Sequence, residues 1–131
     1  MYAVEVRDHI MIAHTLPSPV FGPAQGMHGA TFTVDAAFFA EDIDDHGLVV
    51  DIGLAVEALA AVLEPLRYRN LDEVPDFKGK FTTTEFLCGV IHKAMVAKLR
   101  AGLLKDGGRV TRLRITLHES HIARAWCEGE V

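Results

Sequence analysis

Three groups of residues in this chain could do chemistry: His14 with His28, the segment Thr82-Thr83-Thr84-Glu85, and Glu119. His28 opens the stretch His28-Gly29-Ala30-Thr31-Phe32, which alternates as a β-strand does, so that residues two apart share a face. A His-x-His pair in such a strand could hand two imidazoles to one zinc ion, with a third ligand from a neighbouring strand. Ala30 stands where the second histidine would be. Even with His14, at the end of an earlier strand, two imidazoles fall short of the three protein ligands of a catalytic zinc. The same two histidines read better as satisfied, partly buried residues than as zinc ligands. His92 falls in a helical pattern and His118 has the opposite parity to the apolar residues of its strand, so neither completes the set.

Glu119 continues the register of Leu113, Ile115 and Leu117, the apolar positions of a late strand. A carboxylate in that register needs strong donors if it is buried. An aminopyrimidine ring would supply them, since its exocyclic amine and adjacent ring N–H form a donor fork that a carboxylate accepts with both oxygens. A slip of register near the turn would instead leave Glu119 exposed. Thr82-Thr83-Thr84-Glu85 has the Ser/Thr-x-x-Glu form of a helix capping box, which explains it without any ligand.

Composition narrows the function classes. The chain has 131 residues, half of them hydrophobic, which suits a single domain spanning 1–131 with a real core. A net charge of -5, with no cluster of Lys and Arg, offers no general attraction to nucleic acid or anionic lipid. The longest apolar run, Leu54 to Leu63, is interrupted by Glu57 and is far shorter than the roughly 20 residues that span a bilayer. Glu5, Arg7 and Asp8 break up any signal-peptide core. The expected location is the cytoplasm, where Cys88 and Cys127, which form no spacing motif, would be free thiols.

The elements that must position these groups follow from periodicity. Val4, Val6, Ile10, Ile12 and His14 share a strand parity, broken at Asp8, before the Pro/Gly-rich loop from Leu16 to Gly26. His28 to Phe38 is a half-buried strand, followed by the acidic loop around Glu41 to Gly47. Asp51 is the expected N-cap of a short helix with the stripe Ile52, Val56, Leu59, Leu63 and Leu66, disturbed by Pro65. The capping box opens a longer helix with the stripe Leu87, Ile91, Met95 and Leu99, stopped by Lys105-Asp106-Gly107-Gly108. A hairpin from about Val110 to Glu128, tight around Ser120, ends the pattern. The order ββααββ predicts an α+β fold, an antiparallel sheet with both helices on one face.

Over nearly its full length the chain resembles the 6-pyruvoyl-tetrahydropterin synthase family, which includes the 6-carboxy-tetrahydropterin synthases. The matching segments occur in family order: Ala13-His14-Thr15-Leu16, Val20-Phe21-Gly22, His28-Gly29, Pro65-Leu66 before Asn70-Leu71-Asp72, Thr83-Thr84-Glu85, and Glu119 in the last hairpin. The resemblance implies a T-fold whose subunits join through their sheets into β-barrels, commonly a hexamer built as a dimer of trimers. It also implies a pterin-like small molecule bound between subunits. Glu119 matches the glutamate that anchors the pterin, Thr83 and Thr84 the threonines lining its pocket, and Glu85 the glutamate beside them.

The chain departs from the family elsewhere. Ala30 takes the place of the third zinc histidine, leaving His14 and His28 as remnant ligands and no expected cofactor. The catalytic cysteine falls on Ala24, and the Asp-His pair after Pro65-Leu66 falls on Arg67 and Tyr68. A Lewis-acidic metal supplies several kcal/mol toward a developing oxyanion and a positioned acid or base a factor of roughly 10² to 10⁴, so these replacements predict no useful synthase activity. The expectation is a homologue that keeps a pterin-like pocket without the zinc-dependent reaction. Two other readings stand beside it: an enzyme that runs different chemistry with Arg67, Tyr68 or His28, and a structural or regulatory oligomer with a vestigial pocket.

Overall fold

A computed structural model describes all residues, 1–131. The chain runs β1 (Tyr2–His14), β2 (His28–Ala40), α1 (Ile52–Leu63), α2 (Thr84–Arg100), β3 (Arg112–His118) and β4 (Arg124–Glu130), with short 3-10 turns at Pro19–Gln25, Leu71–Glu73 and Pro75–Phe77. The four strands form one antiparallel sheet in the order β1-β2-β3-β4. The ββααββ order and the α+β class expected from periodicity are observed. No helix is long and apolar enough to cross a membrane.

β1 and β2 pair along their whole length, from Tyr2 opposite Ala40 to His14 opposite His28. The even-numbered face of both strands meets the helices and buries Ile10, Ile12, Phe32, Val34 and Phe38. Each such side chain removed from water contributes about 1.5–3 kcal/mol, so this face sets the register. Asp8 does not break β1. Although it lies in the apolar parity, Arg67 from the turn after α1 reaches it at 3.2 Å, while the same guanidinium donates to the His9 carbonyl at 2.8 Å. A charge in a helix-facing register is tolerated because its counter-charge arrives from another element.

The Asp51 cap of α1 is as expected, its carboxylate accepting from Leu54 N at 3.0 Å. The buried face of that helix differs from the expected stripe. Ala55, Ala58, Leu59 and Leu63 are buried, whereas Ile52 and Val56 are 57% and 45% exposed. The face is centred on small residues, which let the helix backbone approach its neighbours and leave the bulkier Ile52 and Val56 at its margin.

The second helix keeps its expected core stripe of Leu87, Ile91, Met95 and Leu99, all buried together with Cys88. Its cap lies one residue later than the capping-box reading: Thr83, not Thr82, is the N-cap, its hydroxyl accepting from Phe86 N at 3.1 Å. Its stop lies earlier than Lys105. Gly102, at φ +75°, follows the last turn, and Leu103 N and Gly102 N close back onto the Lys98 and Leu99 carbonyls. That double closure ends a helix wherever glycine can take the left-handed conformation.

The final hairpin has a five-residue connection, 119–123, rather than a tight turn at Ser120. Glu119 therefore leaves β3 after His118 and enters the connection, where its backbone N–H bonds the Ala123 carbonyl at 3.1 Å. It is exposed. The register-slip alternative describes it better than the buried strand position.

Candidate functional site

The last residue of β1 and the first of β2 are paired, so register alone sets His14 beside His28, with ring centroids 4.6 Å apart at 62°. His28 Nδ1 lies 2.8 Å from the Gly26 carbonyl. A carbonyl only accepts, so this nitrogen carries the proton and Nε2 is left open. His14 is buried, and its Nδ1 lies 2.8 Å from Thr82 Oγ1. Burial, and then the nearby His28, push the His14 pKa below its ordinary value, which keeps the ring neutral at pH 7.

Two imidazoles with free Nε2 atoms are a start toward a zinc site. No group of three His, Cys, Asp or Glu side chains in the chain is placed to hold a metal ion. The donor set does not fit a three-ligand catalytic zinc. Ala30 occupies the next same-face position of β2 and is half-buried there.

The segment after α1 is tied to the same end of the sheet. Ala13 N donates to the Arg69 carbonyl at 3.0 Å and Tyr68 N to the Met11 carbonyl at 2.8 Å. Asp72 accepts from the Thr15 hydroxyl at 2.7 Å and from Thr15 N. Each nitrogen of the Arg67 guanidinium has a partner, Glu64, the His9 carbonyl or Asp8, so its fork is turned to the fold. Tyr68 is the opposite case: 78% exposed and held at φ +56°, a conformation that non-glycine residues rarely adopt. Ala24 lies in the 3-10 turn, its carbonyl accepting from Leu16 N and its methyl offering no acid or base.

The remaining candidate residues divide between two hollows of the single chain. Glu119 lines one of about 320 Å³ with Arg7, Thr31, Thr33, His118 and His121. Its carboxylate makes no hydrogen bond or ion pair, and its charge is close enough to bear on His14. Glu85, in the first turn of α2, lines a larger groove of about 740 Å³ with Phe77, Lys80 and Phe86. Thr83 is spent on its cap and Thr84 opens the helix, half-buried. His14, His28 and Thr82 are thus brought together within the chain, while Glu119 and the α2 start do not share one of its cavities.

One residue of the sequence reading has a different partner from the one expected, and one participant is absent from that reading. Thr82, 2% exposed, holds His14 rather than capping α2. Asp35, 4% exposed on the sheet face away from the helices, takes the Arg7 fork at 2.6 and 2.9 Å and His118 Nε2 at 2.7 Å. These donors, Arg7 foremost, hold its pKa below the usual carboxylate range. In sequence Asp35 shares the polar face of a half-buried strand with Thr31 and Thr33, which gives no sign of its burial; its partners depend on the register of β1 and β3. The Cys88 thiol is pushed up to about 11 by burial and donates to the Ala125 carbonyl at 3.2 Å, so it is not a nucleophile at neutral pH.

A four-stranded antiparallel sheet covered on one face by two helices is the architecture of the T-fold. The model of the family described as 6-pyruvoyl tetrahydropterin synthase matches residues 3–130, and the chain belongs to that family. Among solved structures it is similar to the 6-pyruvoyl tetrahydropterin synthase of Caenorhabditis elegans, at 20% identity and a TM-score of 0.82 over 98% of this chain and 95% of that one. The Plasmodium vivax enzyme of the same description superposes with a TM-score of 0.76 at 17% identity, over all of both chains. A dihydroneopterin aldolase from Burkholderia thailendensis, bound to guanine, shares the fold more distantly, with a TM-score of 0.51 and 11% identity over 99% of this chain and 89% of that one. No curated protein matches at the level of sequence.

Proposed function

We propose that the protein, one T-fold domain over 1–131, binds a pterin-like or guanine-like ring through Glu119 and does not carry out the zinc-dependent synthase reaction of its family. The observation that carries this reading is the free carboxylate of Glu119, beside a hollow lined by donors at the histidine end of the sheet. Pterins and guanine share the edge that suits it, an amine beside a ring N–H, which a carboxylate accepts with two charge-assisted bonds. The guanine in the Burkholderia aldolase is the same edge on a related fold. Against synthase chemistry stand Ala24 and Ala30, which offer neither a thiolate nor a third zinc ligand, and Arg67, whose donors are engaged by Asp8, Glu64 and His9.

Thr83, Thr84 and Glu85 join the ring site from another subunit. β4 and the first half of β1 are open edges of the sheet, the second half of β1 being bonded by the segment 67–70, and pairing these edges between copies would close a barrel. The family resemblance, rather than the open edges alone, suggests a hexamer made of two trimers, and the cytoplasm is its proposed location. Tyr68, exposed at the β1 edge, is the remaining group from the family's proton-relay positions that could reach a neighbour's ligand.

Calorimetric titration of the oligomer with guanine and with neopterin tests the site. The wild-type protein should bind at least one of them, and Glu119→Gln should weaken that binding roughly tenfold or more, the cost of losing a charge-assisted pair. Equal affinity in both proteins would remove Glu119 from the anchor role. Turnover of dihydroneopterin triphosphate at an ordinary synthase rate would overturn the rest.

A further inference from the structure

In an antiparallel ladder the N–H and C=O groups of alternate residues bond one neighbouring strand, and those of the residues between them point to the other side. For β1 the odd-numbered residues point outward, to the edge of the sheet: the Met11 carbonyl accepts from Tyr68 N at 2.8 Å, and Ala13 N donates to the Arg69 carbonyl at 3.0 Å. By the same alternation Ala3, Glu5, Arg7 and His9 present their backbone groups to that edge. Nothing in the chain bonds the outward groups of Ala3, Glu5 or Arg7.

His9 differs from them. Its N–H donates to Asp8 Oδ1 at 2.7 Å, and its carbonyl accepts from Arg67 Nη1 at 2.8 Å. The two side chains are themselves joined, Arg67 Nη2 lying 3.2 Å from Asp8 Oδ2. One carboxylate and one guanidinium thus give His9 the acceptor and the donor that a neighbouring strand would give it. The pair stands where the segment 67–70 begins to cover the edge. An open strand edge is a template for pairing with another chain, and a satisfied one is not.

The far edge of the sheet complements the open part of β1. The bond from Val131 N to the Thr111 carbonyl fixes the alternation in the last hairpin, so that Ala125, Cys127 and Gly129 bond β3 while Arg124, Trp126, Glu128 and Glu130 point outward, where nothing in the chain meets their backbone groups. β4 has 7 residues against the 13 of β1. The stretch of β1 before His9, Tyr2 to Asp8, matches β4 in length.

We propose that the Asp8–Arg67 pair is an edge stop, which confines the docking surface of β1 to Tyr2–Asp8, gives it the outward edge of β4 from a second copy of this chain as its partner, and prevents the pairing from running on past His9. This rests on the closed barrel proposed above and adds to it which half of β1 docks and what sets the limit.

Proline reads the two sides of the stop without breaking the ladder within the chain, because an outward N–H of β1 bonds nothing in β2. The oligomer of the full chain is diluted and its dissociation followed by light scattering. Glu5→Pro should raise the concentration at which it dissociates at least tenfold, and Met11→Pro, beyond the stop, should leave that concentration unchanged, with circular dichroism showing both variants folded. Hydrogen exchange reads the same boundary in the wild type: the Glu5 and Arg7 amides should be protected only in the oligomer, and the His9 amide in the dissociated chain as well. Asp8→Ala should strip that protection from His9 and yield larger or mixed species. Equal weakening by both prolines, or a single wild-type species in Asp8→Ala, overturns the stop. A wild-type chain that is monomeric at every concentration, or wild-type dissociation in folded Glu5→Pro, overturns the docking surface and the barrel with it. Guanine titration of the same samples tests the Glu119 site separately, so failure there is told apart from failure at the edge.

Discussion

Thr82 Oγ1 sits 2.8 Å from His14 Nδ1, both residues buried and 68 positions apart in sequence. The bond joins the end of β1 to the residue before the α2 cap, and so joins the histidine end of the sheet to the start of the helix where Thr83, Thr84 and Glu85 lie. Thr82→Val keeps the shape but leaves His14 Nδ1 without a partner. It should destabilise the protein by about 1–3 kcal/mol in denaturant unfolding, the penalty for an unsatisfied buried polar group. A change below a few tenths would mean that water replaces the bond.

Acid should weaken the fold in two stages. His14 has a folded pKa below its ordinary 6.5, so the unfolded chain takes up its proton first as the pH falls, and stability drops from about pH 6.5 down to the depressed value. Asp35 acts lower still. Its folded pKa lies below 3.8, so the stability present above that value is lost as the pH falls through it. Thermal melts between pH 7 and 3 follow both stages, and His14→Gln should flatten the first while leaving the second.

Ala30→His restores the missing position on the His14–His28 face of β2. Metal analysis of protein purified without chelators should find about one zinc per chain in this variant and well below that in the wild type. Stoichiometric zinc in the wild type would show that another subunit or an unrecognised ligand completes the site.

Arg67→Met keeps the aliphatic stem and removes the partner of Asp8. Because both groups retain some solvent contact, the expected loss is modest, about 1–2 kcal/mol in unfolding free energy, with ring binding unchanged. A stable variant with lost ligand affinity would place Arg67 in the binding site instead of the fold.

The division between what the sequence settles and what the structure decides follows the range of the interactions. The ββααββ order, the α2 stripe, the Asp51 cap and the shared face of His28 and Ala30 all depend on residues within a few positions of each other, so periodicity and local capping chemistry were enough to read them. The short motifs around His14, Pro65 and Thr83 likewise sufficed to place the chain in its family. Asp8 was misread as a strand break because its counter-charge, Arg67, lies 59 residues away. Thr82 passed for a cap, although its partner is in β1. Asp35, Arg7 and His118 met only through the pairing of three strands, and the length of the last connection took Glu119 out of the apolar register. Side chains that touch across the sheet or between a helix and a strand are paired by register and packing, which no local pattern encodes; those pairings made the buried Asp35 network, fixed the neutral His14 and closed the β1 edge at His9.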